Sequence, residues 1–168
     1  MKNSVAYIDG ENIFHGSLEQ YGYPVYIPVL AEHLTRYSLV RFFHAQGPIL
    51  TRELGMYGLE SIDCSSLRLT NVDGAIYNQL NHDLYFPRKE IKSAEYLELW
   101  TGDKDYIPLI TKAQGRGYKV RIRSYEAQLS TALARVADEV SLLGTVFTLR
   151  RGCNPRSKAR HKATPICG

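Results

Sequence analysis

A chain of 168 residues with 44% apolar and 23% charged side chains has the make-up of one globular domain, which excludes a second full-sized core. Its formal charge of +4 at pH 7 is modest for the whole molecule. The basic side chains concentrate at the end, where Arg150, Arg151, Arg156, Lys158, Arg160, His161 and Lys162 stand without a carboxylate, a run that favours a polyanion or serves as a solubilising tail.

The opening apolar run is too short for a signal peptide, and Asp9 interrupts it. Residues 5–8 have the continuous apolar pattern of a strand buried on both faces, closed by Asp9-Gly10. A helix over 12–21 follows, with Ile13, Phe14 and Leu18 on one side, then a second over 28–34 that Pro28 suits as a first-turn residue. Residues 39–44 form the next strand, ended by Gly47-Pro48. The stretch 49–59 fits a helix or a loop, and 61–69 is weakly strand-like up to Thr70-Asn71. Ile76, Leu80 and Leu84 step by four and predict a helix over 73–84 that stops before Pro87. A strand over 96–100 leads through Thr101-Gly102-Asp103-Lys104-Asp105 into a helix bearing Ile107, Ile110 and Ala113, ended by Gly115 and Gly117. Then come a strand over 118–123, a helix over 127–137 with Leu129, Leu133 and Val136, and a last strand over 142–149. This alternation predicts a three-layer αβα domain around a mainly parallel sheet.

Gly152, Pro155 and Pro165 mark the remainder as a disordered tail. Cys64, Cys153 and Cys167 are an odd set without CxxC spacing, which argues against a disulfide framework and a zinc site and for a reducing compartment. No segment approaches the roughly 18 uncharged apolar residues of a membrane span. A soluble, cytoplasmic protein without a membrane partner is expected.

Open parallel sheets bind ligands beyond the carboxyl ends of their strands. Asp9 closes the first strand, and Asp103 and Asp105 follow the strand over 96–100. Asp73 falls between Ile76 and Leu84 on a helical wheel, so its carboxylate is expected to lean toward the sheet. Carboxylates brought together raise one another's pKa unless a cation neutralises them, and Mg²⁺ takes one or two such ligands plus waters and phosphate oxygens. Each residue also has a plainer role: Asp73 and Asp105 as helix N-caps, Asp9 in a turn, Asn12 as a cap. A calcium loop beginning at Asp103 is ruled out by Pro108 and Gln114 at its sixth and twelfth positions. Gly115-Arg116-Gly117 ends a helix instead of opening one, no phosphate-binding Gly-Lys-Ser/Thr loop is present, and the histidines lack metal spacing.

Tyr7-Ile8-Asp9-Gly10-Glu11-Asn12, then Asn71-Val72-Asp73, then Trp100-Thr101-Gly102-Asp103-Lys104-Asp105-Tyr106-Ile107-Pro108-Leu109 together resemble the successive signatures of NYN domains. The segments 117–120 and 133–138 are similar as well; the resemblance runs over 5–149, with 21–69 contributing little. It implies a PIN-like nuclease fold over 1–149, followed by the basic tail 150–168. It also implies Mg²⁺- or Mn²⁺-dependent cleavage of RNA, with Asp9, Asp73, Asp103 and Asp105 in the acidic cluster and Asn12 assisting. The chain departs from the family at Thr70, where a Lys is common, and at Asn78-Gln79, where a further Asp is common. Asp83, one turn on, keeps the same helical face and could substitute as a metal ligand.

The expected activity is thus a metal-dependent endoribonuclease whose Arg121, Arg123 and tail cations (Arg150, Arg151, Arg156, Lys158, Arg160, Lys162) attract RNA phosphates. One rival is an RNA-binding NYN module with weakened catalysis, on account of Thr70 and the missing helix acid. Another is a Toprim-like phosphotransfer domain built on Glu11 and Asp103-Lys104-Asp105, in which Asp73 has no part. A homodimer or a protein partner would supply specificity.

Overall fold

The structure, a computed structural model, describes residues 4–65 and 71–148. Thr70 and the basic segment from Arg150 to Lys162 lie outside the described residues, as do Cys153 and Cys167. Six strands form one sheet in the order β3-β2-β1-β4-β5-β6: β1 (Ser4–Asp9), β2 (Leu39–His44), β3 (Glu60–Asp63), β4 (Tyr96–Trp100), β5 (Lys119–Ser124) and β6 (Glu139–Leu142). Every neighbouring pair is parallel. Strand order reverses between β1 and β4, which places the crevice of this doubly wound sheet at their carboxyl ends.

Helices cover both faces, giving the three-layer αβα architecture. On one face α1 (Gly10–Tyr21), α2 (Ile27–Leu34) and α3 (Pro48–Gly55) pack over Ala6, Ile8, Phe42 and Trp100. On the other, α4 (Val72–Tyr85), α5 (Lys89–Lys92), α6 (Ile107–Gly115) and α7 (Thr131–Val136) pack over Val5, Tyr7, Leu97 and Leu99. All of β1 is buried because it has strands on both sides and helices on both faces, which is why it reads as an uninterrupted apolar run. Ile76, Leu80 and Leu84 of α4 are each at most 2% exposed, and burial of each contributes about 2–3 kcal/mol.

Three expected elements differ. In place of a helix over 127–137 there is a 3₁₀ turn, Glu126–Gln128, then an extended Leu129 and Ser130, then α7. The break allows the Ser130 N–H to donate to the Gly102 carbonyl at 2.9 Å, tying this segment to the loop after β4. The last strand lies at Glu139–Leu142, earlier than expected, held beside β5 by Arg121 reaching Glu139 at 2.6 Å. Gly144 separates it from a further 3₁₀ turn, Thr145–Phe147. β3 is shorter than the expected 61–69, with 66–70 outside the described residues, and the ambiguous 49–59 stretch contains α3.

Charge is also buried between the sheet and its helices. Arg41, 2% exposed in β2, meets Asp83 of α4 (Nε to Oδ2, 2.9 Å) and Glu60 (Nη1 to Oε1, 2.8 Å), while the Tyr7 hydroxyl donates to Asp83 at 2.8 Å. On the opposite face, fully buried Glu98 accepts from Arg121 (2.7 Å), Arg123 (2.6 Å) and Tyr37 (2.7 Å). Removing one partner of such a pair strands the other. Asp83→Ala is therefore expected to destabilise the fold by about 3–5 kcal/mol in urea denaturation.

Candidate active site

The loop after β1 and the loop after β4 are stitched together by short polar side chains. Asp9 has extended backbone and caps α1, its Oδ1 accepting from the Asn12 N–H at 3.0 Å. Its Oδ2 accepts from the Thr101 hydroxyl at 3.4 Å, and Thr101 in turn accepts from the Asp103 N–H at 3.3 Å. The Asn12 side chain accepts from the Gly102 N–H (3.1 Å) and donates to Gln128 (3.4 Å). Two glycines permit this closeness. A Cβ on Gly10 would sit 2.6 Å from the Phe43 carbonyl oxygen, and one on Gly102 would collide with the Gln128 carbonyl.

Asp73 stands in the first turn of α4, whose N-cap is Asn71 accepting from the Gly74 N–H at 2.9 Å. Although exposed, Asp73 is held toward the sheet by the Tyr106 hydroxyl, which donates to its Oδ1 at 2.8 Å. Asp103 caps the 3₁₀ turn Lys104–Tyr106, accepting from the Asp105 N–H at 2.9 Å. Asp9, Asp73 and Asp103, with Glu11, Asn12, Asn71, Cys64 and Gln128 among the other walls, line one cleft of about 470 Å³.

The electrostatics follow from burial and like charge. Asp9 is 4% exposed, and its pKa is pushed up to about 6, chiefly by burial, opposed by the Asn12 N–H and reinforced by negative Asp73 and Glu11. Burial and then the surrounding Asp9, Asp73 and Asp103 drive the Tyr106 hydroxyl far above its ordinary value, so it remains a donor. Among the described residues, no three His, Cys, Asp or Glu side chains form a group that could hold a metal ion by themselves. The donor set nonetheless suits Mg²⁺ or Mn²⁺ chemically: hard carboxylate oxygens, one of them raised in pKa by burial and by negative neighbours, beside room for waters and phosphate.

Four expected site residues thus meet: Asp9, Asn12, Asp73 and Asp103. Asp105 is exposed on its 3₁₀ turn, outside the cleft lining, because that turn directs its N–H to Asp103. Asp83 is no substitute ligand, being consumed by Arg41 and Tyr7 inside the fold. Arg121 and Arg123, expected to meet RNA, are mostly buried and neutralised by Glu98 and Glu139. Sequence reasoning left Tyr106 and Gln128 unassigned, although Tyr106 lies inside the 100–109 motif. It gave Glu11 a role only in the Toprim-like alternative; here its carboxylate accepts from the Ala45 N–H and the Gln46 side chain at 3.0 Å.

No family model matches the chain. Over 51 residues it is 45% identical to an uncharacterised protein of Methanocaldococcus jannaschii, a match that spans 30% of this chain and 21% of that protein's length. The crystal structure of a protein of unknown function from Vibrio parahaemolyticus superposes with a TM-score of 0.68 at 16% identity, over 88% of this chain and 97% of that one, a likeness of fold alone. MurG from Acinetobacter baumannii reaches a TM-score of 0.46 at 14% identity over 98% of this chain and 50% of that one, too loose to carry an argument. Among the described residues no helix is long and apolar enough to cross a membrane.

A raised carboxyl pKa makes stability depend on pH with a definite sign. Protonated Asp9 stabilises the fold below its ordinary value of 3.8, and that contribution is lost as the pH climbs through about 6. In metal-free buffer, Asp9→Asn should therefore stabilise the protein at pH 7.5 by up to about 3 kcal/mol and by almost nothing at pH 4, measured by thermal melts at both.

Proposed function

We propose that this chain is a metal-dependent endoribonuclease of the NYN, PIN-like type, hydrolysing RNA phosphodiester bonds in the cleft beyond β1 and β4. The observation that carries the reading is the meeting of Asp9, Asp73 and Asp103, from three separate elements, at the switch point of a parallel sheet. Two of these belong to strand-end loops, where ligands of such sheets bind. Among the described residues Asp9 has no ion-pair partner, although the fold supplies arginines to the buried carboxylates Asp83 and Glu98.

Asp9, Asp73 and Asp103 would hold Mg²⁺ or Mn²⁺. When bound, that ion supplies Lewis acidity at a phosphoryl oxygen and lowers the pKa of a coordinated water. The chain's own residues do the rest. Asn12 and Thr101 fix the orientation of Asp9 from two sides, and Tyr106 fixes Asp73. Gln128 and Asn12 close the wall beside Asp103, offering amide groups to a polar substrate. The Toprim-like alternative has less support, because Asp73 lines the cleft and Glu11 is occupied by the Ala45 loop.

One observation favours a second reading, an RNA-binding module without turnover: among the described residues the carboxylates do not form a ready three-ligand group. Cleavage separates the two. Single-stranded RNA incubated with Mg²⁺ or Mn²⁺ should be cut by the natural protein. Asp103→Asn, which keeps the turn cap, and Asp73→Asn should each slow cutting on the order of a hundredfold, the scale of losing one electrostatic stabiliser of the transition state. Mn²⁺ should also raise the melting temperature of the natural protein and not that of Asp103→Asn. Equal cleavage rates in the natural and Asp103→Asn proteins would refute the reading.

A further inference from the structure

Helix α4 leads away from the cleft, with Asp73 in its first turn and Tyr77, Asn81 and Tyr85 following at steps of four, a row that runs about 18 Å along the helix while turning by about 40° per step from the cleft side toward α6. Tyr77 is 41% exposed, Tyr85 52% and Phe86, just past the helix, 71%. Beside them α6 sets two cations: Lys112 Nζ lies 4.4 Å and Arg116 Cζ 4.2 Å from the centre of the Tyr85 ring. Lys112 also donates to Asn81, and Arg116 to the Leu84 carbonyl at 2.7 Å. Neither has an ion-pair partner among the described residues, and α6 contains no acidic residue. The acids of α4 are Asp73 at the cleft and Asp83 in the core.

We propose that this shared face of α4 and α6 is a track for single-stranded RNA entering or leaving the cleft, with Tyr85 and Phe86 as stacking platforms and Lys112 and Arg116 as phosphate contacts. Exposed rings interleaved with unpaired cations are the pattern by which proteins hold single strands without reading sequence. The ammonium and guanidinium groups are already positioned over Tyr85, so little side-chain ordering remains to be done on binding. The RNA as occupant rests on the nuclease reading; the geometry of the face does not.

The test is binding of a fluorescently labelled uridine oligonucleotide in EDTA, where turnover is stopped, followed across a salt series. The double substitution Lys112→Gln, Arg116→Gln should weaken binding at least tenfold at low salt and reduce the slope of log K against log salt by about 1.4, two phosphate contacts' worth. Tyr85→Ala should weaken it about tenfold, and Tyr85→Phe should bind as the natural protein does, because the ring persists. Unchanged affinity and slope in the double variant overturn the proposal, as does a natural protein that binds no RNA; a face that serves a protein partner gives the first of these results. Failure here with Asp103-dependent cleavage intact removes the track and leaves the nuclease, whereas loss of cleavage dependence on Asp103 with the salt slope still altered removes the nuclease and leaves the track.

Discussion

Burying a carboxyl group at the end of the central strand is the constraint on which the rest of this molecule depends. Asp9 follows five buried residues of β1 and is itself almost sealed from water. Among the described residues its oxygens are met by an N–H and a hydroxyl, and its negative neighbours oppose ionisation. The same chain pairs its other internal carboxylates directly with arginine: Asp83 with Arg41, Glu98 with Arg121 and Arg123. Among the described residues the fold neutralises acids with arginine in two places and leaves the one at the crevice without such a partner, and carboxyl groups perturbed in this way concentrate at functional sites.

Much of the architecture could be read directly from residue order. β2 and β4 fall on the expected 39–44 and 96–100, because strands buried on both faces are short, mostly apolar runs with little freedom of boundary, here each broken by one charge, Arg41 and Glu98. α4 was legible from a stripe repeating every four residues. β6 was not: as an edge strand it exposes Val140 and Leu142 and is positioned by the Glu139–Arg121 pair, a contact between distant residues with no local pattern. The interruption at Leu129 and Ser130 is equally non-local, since the hydrogen bond that makes it worthwhile ends on Gly102.

The site was legible to the same degree and for the same reason. Asp9 and Asp103 could be placed by topology at strand ends and Asp73 by its position on the wheel of α4, and the three line one cleft. Asp83 and Glu98 could not, because the arginines that claim them lie on other segments. Arg41, a lone cation inside the apolar 39–44 run, was the signal that Asp83 would be claimed internally. Glu98, a lone acid inside 96–100, announced the fate of Arg121 and Arg123. Tyr106 gave no such sign, since a tyrosine at a helix start serves packing as readily as it serves a carboxylate.

The brace formed by Asn12, Gly102, Gln128 and Ser130 joins segments that are synthesised far apart. A nascent chain that has emerged only as far as β4 already carries Asp9 and Asp73, yet neither the wall that Gln128 contributes nor the bond that Ser130 makes to the loop exists. Contacts of such long sequence separation form late. The cleft is consequently a property of the finished domain, and fragments released by premature termination or proteolysis carry its acids without its shape.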